Sequence, residues 1–220
     1  GYLGLQRVTR ERLLAVAKRA HEAGFQVAVH AIGDAANRQA LDVFEQVVKE
    51  NPGSDHRHRI EHAQVVALED IPRFKRLGVI PAMQAVHATS DKNMAEKRVG
   101  PERIKGAYAW RKFLKTGTVI PNGTDAPVEK VNPFHVLFAS VTRQSRDEEP
   151  PGGWYPEEKM TREEALKSYT LWAAYAAFEE NIKGSIRQGK LADFIVIDRD
   201  YMKCPDSEIK DIRVLQTILG

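Results

Sequence analysis

Histidine and aspartate residues recur at the ends of short apolar runs along this sequence. His30, His62 and Asp125 each stand at or just past the end of such a run, and His87 follows a further run closely. Imidazole and carboxylate groups are ligands of borderline divalent metals such as Zn²⁺. Taken alone, any one of these residues could be a structural group that bonds to a neighbour. Their repetition at equivalent positions favours a shared metal or catalytic site.

The apolar runs alternate with helical patterns. They predict strands over residues 25–30, 57–62, 79–84 and 118–122, with amphipathic helices before and between them. Strands separated by helices predict a parallel sheet, whose carboxyl ends share one edge. The polar side chains at the ends of the runs are therefore expected to converge. Four strands leave open whether the sheet is doubly wound or belongs to an eight-stranded barrel.

Residues at the ends of these elements have predicted local roles. Asp34 is well placed to cap the helix that follows the first strand, and Thr161 with Glu164 matches a capping box. His87 lies in a polar stretch that predicts a loop. Contact with a substrate and a hydrogen bond that orders the loop are both open interpretations for this residue.

The remaining polar candidates are predicted to be structural. His56 and His58 have the spacing of a ligand pair but precede a strand, and the pattern predicts that both are exposed. His21, near a helix end, is expected to be solvated, and His135 is expected to pack within a helix. Glu61 alternates with the neighbouring histidine along its strand and is expected to support the adjacent layer.

Composition excludes several classes of protein. The 220 residues are 42% hydrophobic and 29% charged, with a formal net charge of +3, which is too weak and dispersed to indicate nucleic-acid binding. No apolar stretch approaches a membrane span, and no secretion signal precedes the first helix, so a cytoplasmic protein without a membrane partner is expected. The single cysteine, Cys204, excludes an internal disulfide and a thiolate metal cluster.

Four ordered motifs carry a resemblance to a known family. They are Val29–Asp34, Arg59–Gln64, Asn122–Val128, and Gly184–Ile186 together with Gly189–Asp193. On these motifs the chain resembles the amidohydrolase superfamily and, more closely, its amidohydrolase family 3 branch, the YtcJ-like metal-dependent hydrolases. The motifs follow the family's order over nearly the whole chain, and their combination makes the resemblance specific.

The resemblance implies an α/β fold in two parts. Residues 1–183 would form the second half, strands five to eight, of a (β/α)8 TIM barrel. Residues 184–220 would form the C-terminal part of a small β-sandwich, after a change to turn-rich sequence near Lys183. The family's His-X-His pair on the first barrel strand and its bridging ligand on the fourth have no counterpart here. The resemblance is therefore to the C-terminal portion of such enzymes.

The resemblance also implies roles for individual residues. His30 and His62 match the family's metal-ligand histidines after the fifth and sixth strands. Asp125 matches the aspartate after the eighth strand, which touches the metal and handles the proton of the attacking water. The implied cofactor is a divalent metal, zinc before others, with one or two ions in the complete enzyme. His87 is a candidate for substrate binding.

The implied activity is hydrolysis of a non-peptide carbon–nitrogen bond by metal-activated hydroxide. The substrate would be a small amide, a cyclic amide, or an N-acyl or N-formyl compound. The alternative is a non-catalytic half-barrel, inactive without the N-terminal ligands, that self-associates as a homodimer through its open sheet edges. A third interpretation, an open sheet that binds phosphate or a nucleotide, is disfavoured because no glycine-rich loop follows the first strand.

Overall fold

The computed structural model describes residues 5–53 and 55–220. The chain divides into two compact units. Unit 1 comprises the residues up to 83 and residues 97–119, and unit 2 comprises residues 84–96 and 120–220. Residues 184–220 cluster with unit 2, and the domain boundary near Lys183 stays a prediction.

Nine α-helices and five strands are assigned in the part of the chain that the structure describes. In chain order they are α1 (Arg10–Glu22), β1 (Ala28–Ala31), α2 (Asp34–Glu50), β2 (Arg59–His62), α3 (Ile71–Leu77), β3 (Ile80–Ala82), α4 (Ala85–Asp91), α5 (Ala95–Arg103), α6 (Trp110–Lys115), α7 (Pro133–Thr142), α8 (Arg162–Tyr169), α9 (Leu171–Ala176), β4 (Phe194–Ile197) and β5 (Val214–Ile218). None of these helices is long and apolar enough to cross a bilayer.

Unit 1 contains a parallel sheet in the order β1-β2-β3. In its register Ala31 lies opposite His62, and His30 lies opposite Glu61. Crossover helices α2 and α3 connect the strands, as the alternating pattern predicts. The α/β class is confirmed, and membership of these strands in a closed barrel stays a prediction.

Apolar side chains of the helices form the core of unit 1. On α2, Leu41, Phe44 and Val47 are fully buried. Phe74 of α3 meets Phe113 of α6 edge-to-face, with ring centroids 5.0 Å apart. Burial of each such side chain contributes about 1.5–3 kcal/mol, so these contacts fix the helices that connect the strands.

Helix α7 is the centre of unit 2. It begins at Pro133, after Asn132 accepts the N–H of Phe134 at 3.0 Å, and its residues 136–142 are all buried. A turn of 3-10 helix over Asp206–Asp211 belongs to the same unit and buries Ile209 completely. The antiparallel pair β4-β5 differs, because β4 leaves consecutive apolar residues exposed at Phe194, Ile195 and Val196.

The capping predictions have mixed outcomes. The capping box of Thr161 and Glu164 is confirmed, with both reciprocal bonds present. At α2 the prediction is wrong, because Gly33 occupies the cap position. Asp34 is the first helical residue, and its Oδ1 accepts the N–H of Ala35 at 2.9 Å.

Two predicted elements differ from the structure. The stretch 118–122 forms no strand; Ile120 is fully buried and the N–H of Asn122 bonds to the carbonyl of Ser168 at 2.9 Å. The polar stretch around His87, predicted as a loop, is helix α4. Its first N–H, that of Ala85, is satisfied by Asn122 Oδ1 at 3.0 Å, a partner far away in sequence.

Candidate metal centre

In unit 1, two of the predicted ligands lie side by side at the carboxyl ends of adjacent strands. His30 is the third residue of β1 and His62 is the last residue of β2. Their rings meet edge-to-face, with centroids 4.6 Å apart and an interplanar angle of 76°. We call His30 and His62 the strand-end pair. Two imidazoles this close fit the donor set of one borderline divalent ion.

The backbone bends sharply at the strand-end pair. His62 has φ +77° and Ala63 has φ +42°, both in the left-handed region that non-glycine residues rarely adopt. Such a conformation costs on the order of 1–3 kcal/mol per residue and persists where neighbours hold it. Gln64 supplies one support, since its carbonyl accepts the N–H of Tyr108 at 2.8 Å and its side-chain amide donates to the Tyr108 hydroxyl.

In unit 2, Asp125 lies beside His87. Asp125 Oδ2 is 3.7 Å from His87 Nε2, which is ion-pair range and longer than a hydrogen bond. The His87 side chain is 12% exposed and that of Asp125 is 37% exposed, so a small molecule can reach the carboxylate. Asp125 also has a left-handed φ of +57°. The structure thus brings together a second pair of candidate site residues, a carboxylate and an imidazole.

The turn that carries Asp125 is held by short-range hydrogen bonds. Thr124 Oγ1 accepts the N–H of Ala126 at 3.3 Å, and the carbonyl of Asp125 accepts the N–H of Val128 at 2.8 Å. These bonds fix the backbone on both sides of the carboxylate. The aspartate is therefore presented by a constrained turn.

Asn122 opens one of the four sequence motifs without a predicted role of its own, and the structure gives it a central position in unit 2. Its Oδ1 accepts the N–H groups of Ala85 and Gly123, at 3.0 and 3.1 Å, and its Nδ2 donates to Ser140 Oγ at 3.2 Å. One side chain thus joins α4, the turn before Asp125 and α7. The available sequence signal was an asparagine directly before a glycine at the end of an apolar run.

The histidines predicted to be exposed or solvated form a group at the amino ends of the strands, in which His58 is buried and His21 and His56 are half-buried. His58 is 0% exposed and stacks on Phe44 with ring centroids 5.0 Å apart. Its ring also lies 5.1 Å from that of His21 and 4.4 Å from that of His56. We call His21, His56 and His58 the amino-end cluster. The prediction of exposure is wrong because α1 and α2 cover the residues that precede β2.

Hydrogen bonds to the backbone fix the rings of the amino-end cluster. His58 Nδ1 accepts the N–H of Val27 at 3.1 Å, so His58 Nε2 carries the proton and donates to His21 Nδ1 at 3.1 Å. His21 Nε2 then donates to the carbonyl of Asn51 at 3.3 Å. His56 Nδ1 accepts the N–H of His58 at 3.0 Å, and its Nε2 donates to a carbonyl of α3 at 2.9 Å.

Burial in this network disfavours positive charge. Burial, with His56 and His21 close by, lowers the pKa of His58 to about 3. Burial also lowers the pKa of His56, against opposing contributions from its hydrogen bond to Leu77 and from Asp55. The fold therefore favours the neutral form of His56 and His58.

The other polar candidates are structural in their contacts. Glu61 pairs with Arg59 of the same strand, its Oε1 lying 2.9 Å from the guanidinium Nε, and its support of the adjacent layer stays a prediction. His135 is half-buried on α7, and burial with nearby Arg146 and Lys130 lowers its pKa. Asn132 Nδ2 lies 3.4 Å from His135 Nε2. These contacts support a packing role for His135.

Three curated relatives match nearly the whole chain. Protein LONG AFTER FAR-RED 3 of Arabidopsis thaliana is 36% identical over 99% of this chain and 37% of its own length. The putative amidohydrolase YtcJ of Bacillus subtilis is 32% identical over 99% of the chain and 40% of its own length. The N-substituted formamide deformylase of Arthrobacter pascens is 26% identical over 98% of this chain and 39% of its own length. The chain thus spans about two fifths of the length of these relatives.

Solved structures of similar fold agree with this grouping. An uncharacterized metal-dependent hydrolase from Pyrococcus furiosus is 33% identical, with a TM-score of 0.78 over 92% of this chain and 39% of its own. An uncharacterized metal-dependent hydrolase from Pyrococcus horikoshii is 30% identical, with a TM-score of 0.80. The match covers 94% of this chain and 40% of that one. The family model described as the amidohydrolase family matches residues 1–220. The chain therefore belongs to the amidohydrolase family.

Proposed function

We propose that this chain is the C-terminal part of a divalent-metal-dependent amidohydrolase. The reaction would be hydrolysis of a non-peptide carbon–nitrogen bond in an amide, a cyclic amide, or an N-acyl or N-formyl compound. The observation that carries the proposal is the strand-end pair, His30 and His62, with rings 4.6 Å apart at the ends of adjacent parallel strands. The name of the related N-substituted formamide deformylase supports the choice of bond.

The proposed metal ligands are His30, His62 and Asp125. Two imidazoles and a carboxylate suit zinc, which prefers nitrogen and oxygen donors of intermediate softness. A bound zinc ion would polarise the substrate carbonyl and bring the pKa of water down to about 7. Support for Asp125 comes from its motif, Gly123-Thr124-Asp125, and from the constrained turn that presents its carboxylate.

Asp125 is also the proposed proton carrier. Its carboxylate would accept a proton from the attacking water and deliver that proton to the leaving nitrogen, so that amine and acid are released with the proton balance closed. His87, 3.7 Å from Asp125, would orient the carboxylate or contact the substrate. A positioned acid–base group of this kind contributes about 10²–10⁴ in rate.

The proposed architecture follows from the same relationship. Residues 1–183 would supply strands five to eight of a (β/α)8 barrel, and residues 184–220 would supply part of a β-sandwich. The exposed apolar residues of β4 and β5 support the second assignment, because a sandwich strand buries one face against another sheet.

A second candidate is a non-catalytic half-barrel that associates with itself. It is favoured by the exposed apolar residues of the β4-β5 pair. Edge strands and apolar sheet faces promote association when nothing covers them. A dimer that binds no zinc and has no hydrolase activity would support this candidate and contradict the enzyme proposal.

Removal and return of metal tests the enzyme proposal. The intact protein would be assayed for amine release from a panel of N-formyl and N-acyl amines, then stripped with a chelator and reconstituted with zinc. We expect activity to disappear on stripping and to return with zinc. Hydrolysis at an unchanged rate by the metal-free protein would contradict the proposal.

Asp125→Asn tests the proton carrier. Asparagine tolerates the left-handed backbone of this turn, so the variant removes the acid–base group with little strain. We expect kcat to fall by about 10²–10⁴. Asp147→Asn, at an exposed aspartate of the same unit, is the matched control and should retain full activity.

A further inference from the structure

Asn37 of α2 carries an unusual set of hydrogen bonds. The residue is 0% exposed, and its side-chain Nδ2 lies within hydrogen-bond distance of four backbone carbonyl oxygens. The distances are 3.2 Å to Ala31, 3.3 Å to Ile32, 2.9 Å to Gly33 and 3.2 Å to Val65. The amide has two N–H hydrogens, so the four carbonyls share them.

The four carbonyls belong to the two segments that follow the strand-end pair. Ala31 to Gly33 come directly after His30, and Val65 comes three residues after His62. The N–H of Val65 also donates to the carbonyl of Ile32 at 2.8 Å. Asn37 therefore joins the exit of β1 to the exit of β2, across the left-handed bend that contains His62.

Position 37 needs an asparagine because the side-chain amide supplies N–H donors. Asn37 Oδ1 is buried and has no partner among the residues that the structure describes, which is a cost to the fold. Aspartate, nearly identical in shape, would place a carboxylate against four carbonyl oxygens. Leucine would remove the side-chain donor and leave the carbonyls of Ile32 and Gly33 with only their backbone partners, the N–H groups of Val65 and of residue 37. The arrangement requires an amide N–H group at this position.

We propose that Asn37 is a positioning residue that fixes the mutual geometry of His30 and His62. It acts through the backbone after each histidine and touches neither ring. The inference rests on the proposed function for its importance to metal binding, and on the structure alone for its effect on the two rings. It predicts that loss of the amide donors changes the relative positions of the two rings and weakens zinc binding while unit 1 is still folded.

The test compares Asn37→Asp with Val47→Ala in the intact protein. Val47 is fully buried on the same helix, packs with Ala17 and Val43, and is remote in sequence from the strand exits. Both variants weaken the packing of α2, and only the first removes donors from the strand exits. The measurements are the NMR resonances of the His30 and His62 rings, hydrogen exchange at the Val65 amide, and zinc affinity by competition with a chelating indicator.

We expect Asn37→Asp to shift both ring resonances, to speed exchange at Val65, and to weaken zinc binding about 10–100-fold, as loss of residues that orient ligands does. Val47→Ala should leave the rings and the zinc affinity as in the wild type. Unchanged resonances and exchange in Asn37→Asp would overturn the inference, with or without metal. Equal zinc losses in both variants would overturn it too, since a structural effect would then explain them.

Two further comparisons keep the inference and the proposed function apart. If the wild type binds no zinc, the proposed function fails, and the ring resonances and exchange still decide the role of Asn37. If Asn37→Asp does not fold, Asn37→Ser provides the test, because its hydroxyl keeps one donor in a smaller side chain. Asn37→Ser should show smaller changes of the same kind, and wild-type behaviour in every measurement would overturn the inference.

Discussion

Unit 1 places two groups of histidines at opposite ends of the same strands, and the groups differ in what their nitrogens contact. In the amino-end cluster, each ring nitrogen of His21, His56 and His58 has a partner, mostly in the backbone. At the carboxyl ends, the His30 ring meets His62 edge-on and makes no side-chain hydrogen bond to any residue in ranges 5–53 and 55–220. Proximity of imidazoles is common to both groups.

The comparison shows how a structural histidine cluster differs from a candidate ligand pair. A metal ligand must offer a lone pair, and the bonds around His58 use both of its nitrogens. If His58 were protonated at Nδ1, its new N–H would point at the N–H of Val27, and the hydrogen bond between them would be lost. His30 has no such backbone partner among residues 5–53 and 55–220, so its ring can offer a lone pair to a cation. Availability of a ring nitrogen therefore separates His30 from His58.

Removal of the His58 ring should have the largest effect on stability. His58→Ala leaves a cavity beside Phe44 and removes the partners of Val27 N–H and His21 Nδ1. We expect the free energy of unfolding to fall by about 3–5 kcal/mol, measured by denaturant titration. A fall in the free energy of unfolding below about 1 kcal/mol would contradict the structural role given to the amino-end cluster.

Acid should weaken the amino-end cluster. The pKa of His58 is about 3 in the fold, well below the ordinary histidine value of 6.5, so folding favours the neutral ring. This contribution is fully present above pH 6.5 and is lost as the pH falls from 6.5 towards 3, at about 1.4 kcal/mol per pH unit. Asp55, which favours protonation of His56, opposes the effect in part.

His58→Phe isolates this pH effect. Phenylalanine keeps an aromatic ring against Phe44 and cannot be protonated. We expect the slope of unfolding free energy against pH, below pH 6.5, to be smaller in the variant than in the wild type. Equal slopes would show that His58 takes up its proton in the folded and unfolded chains alike.

The smallest effect is expected at the rim of the cluster. His21 is half-buried, and glutamine can replace its two hydrogen-bonding functions in part. We expect His21→Gln to cost about 1 kcal/mol, the usual net value of a hydrogen bond. Thermal unfolding of His21→Gln and of His58→Ala, measured side by side, shows how the loss of stability increases from the rim of the cluster to its centre. A larger loss of stability in His21→Gln than in His58→Ala would contradict this order.

Local patterns predicted the features that depend on neighbours in sequence. The capping box at Thr161 and the positions of His30 and His62 at strand ends follow from residues a few places apart. The family resemblance added the candidate roles. These signals are local because caps, turns and strand ends are set by the adjacent backbone.

Features that depend on distant partners were missed. Helix α4 begins where Asn122, 37 residues later, satisfies the N–H of Ala85, and no local pattern shows that bond. His58 is buried because Phe44 and Val27 reach it from other elements. Asn37 has no signal of its own in the sequence, since its four acceptors come together only when β1 and β2 pair.

Zinc titration of the intact protein, stripped of metal, tests the central claim most directly. His62→Asn and His58→Phe are compared with the wild type, because asparagine accepts the left-handed φ of +77° and both variants lose one imidazole. The account predicts that His62→Asn weakens zinc binding at least 100-fold while His58→Phe binds as the wild type does. Wild-type affinity in His62→Asn would contradict the claim that the strand-end pair binds the metal.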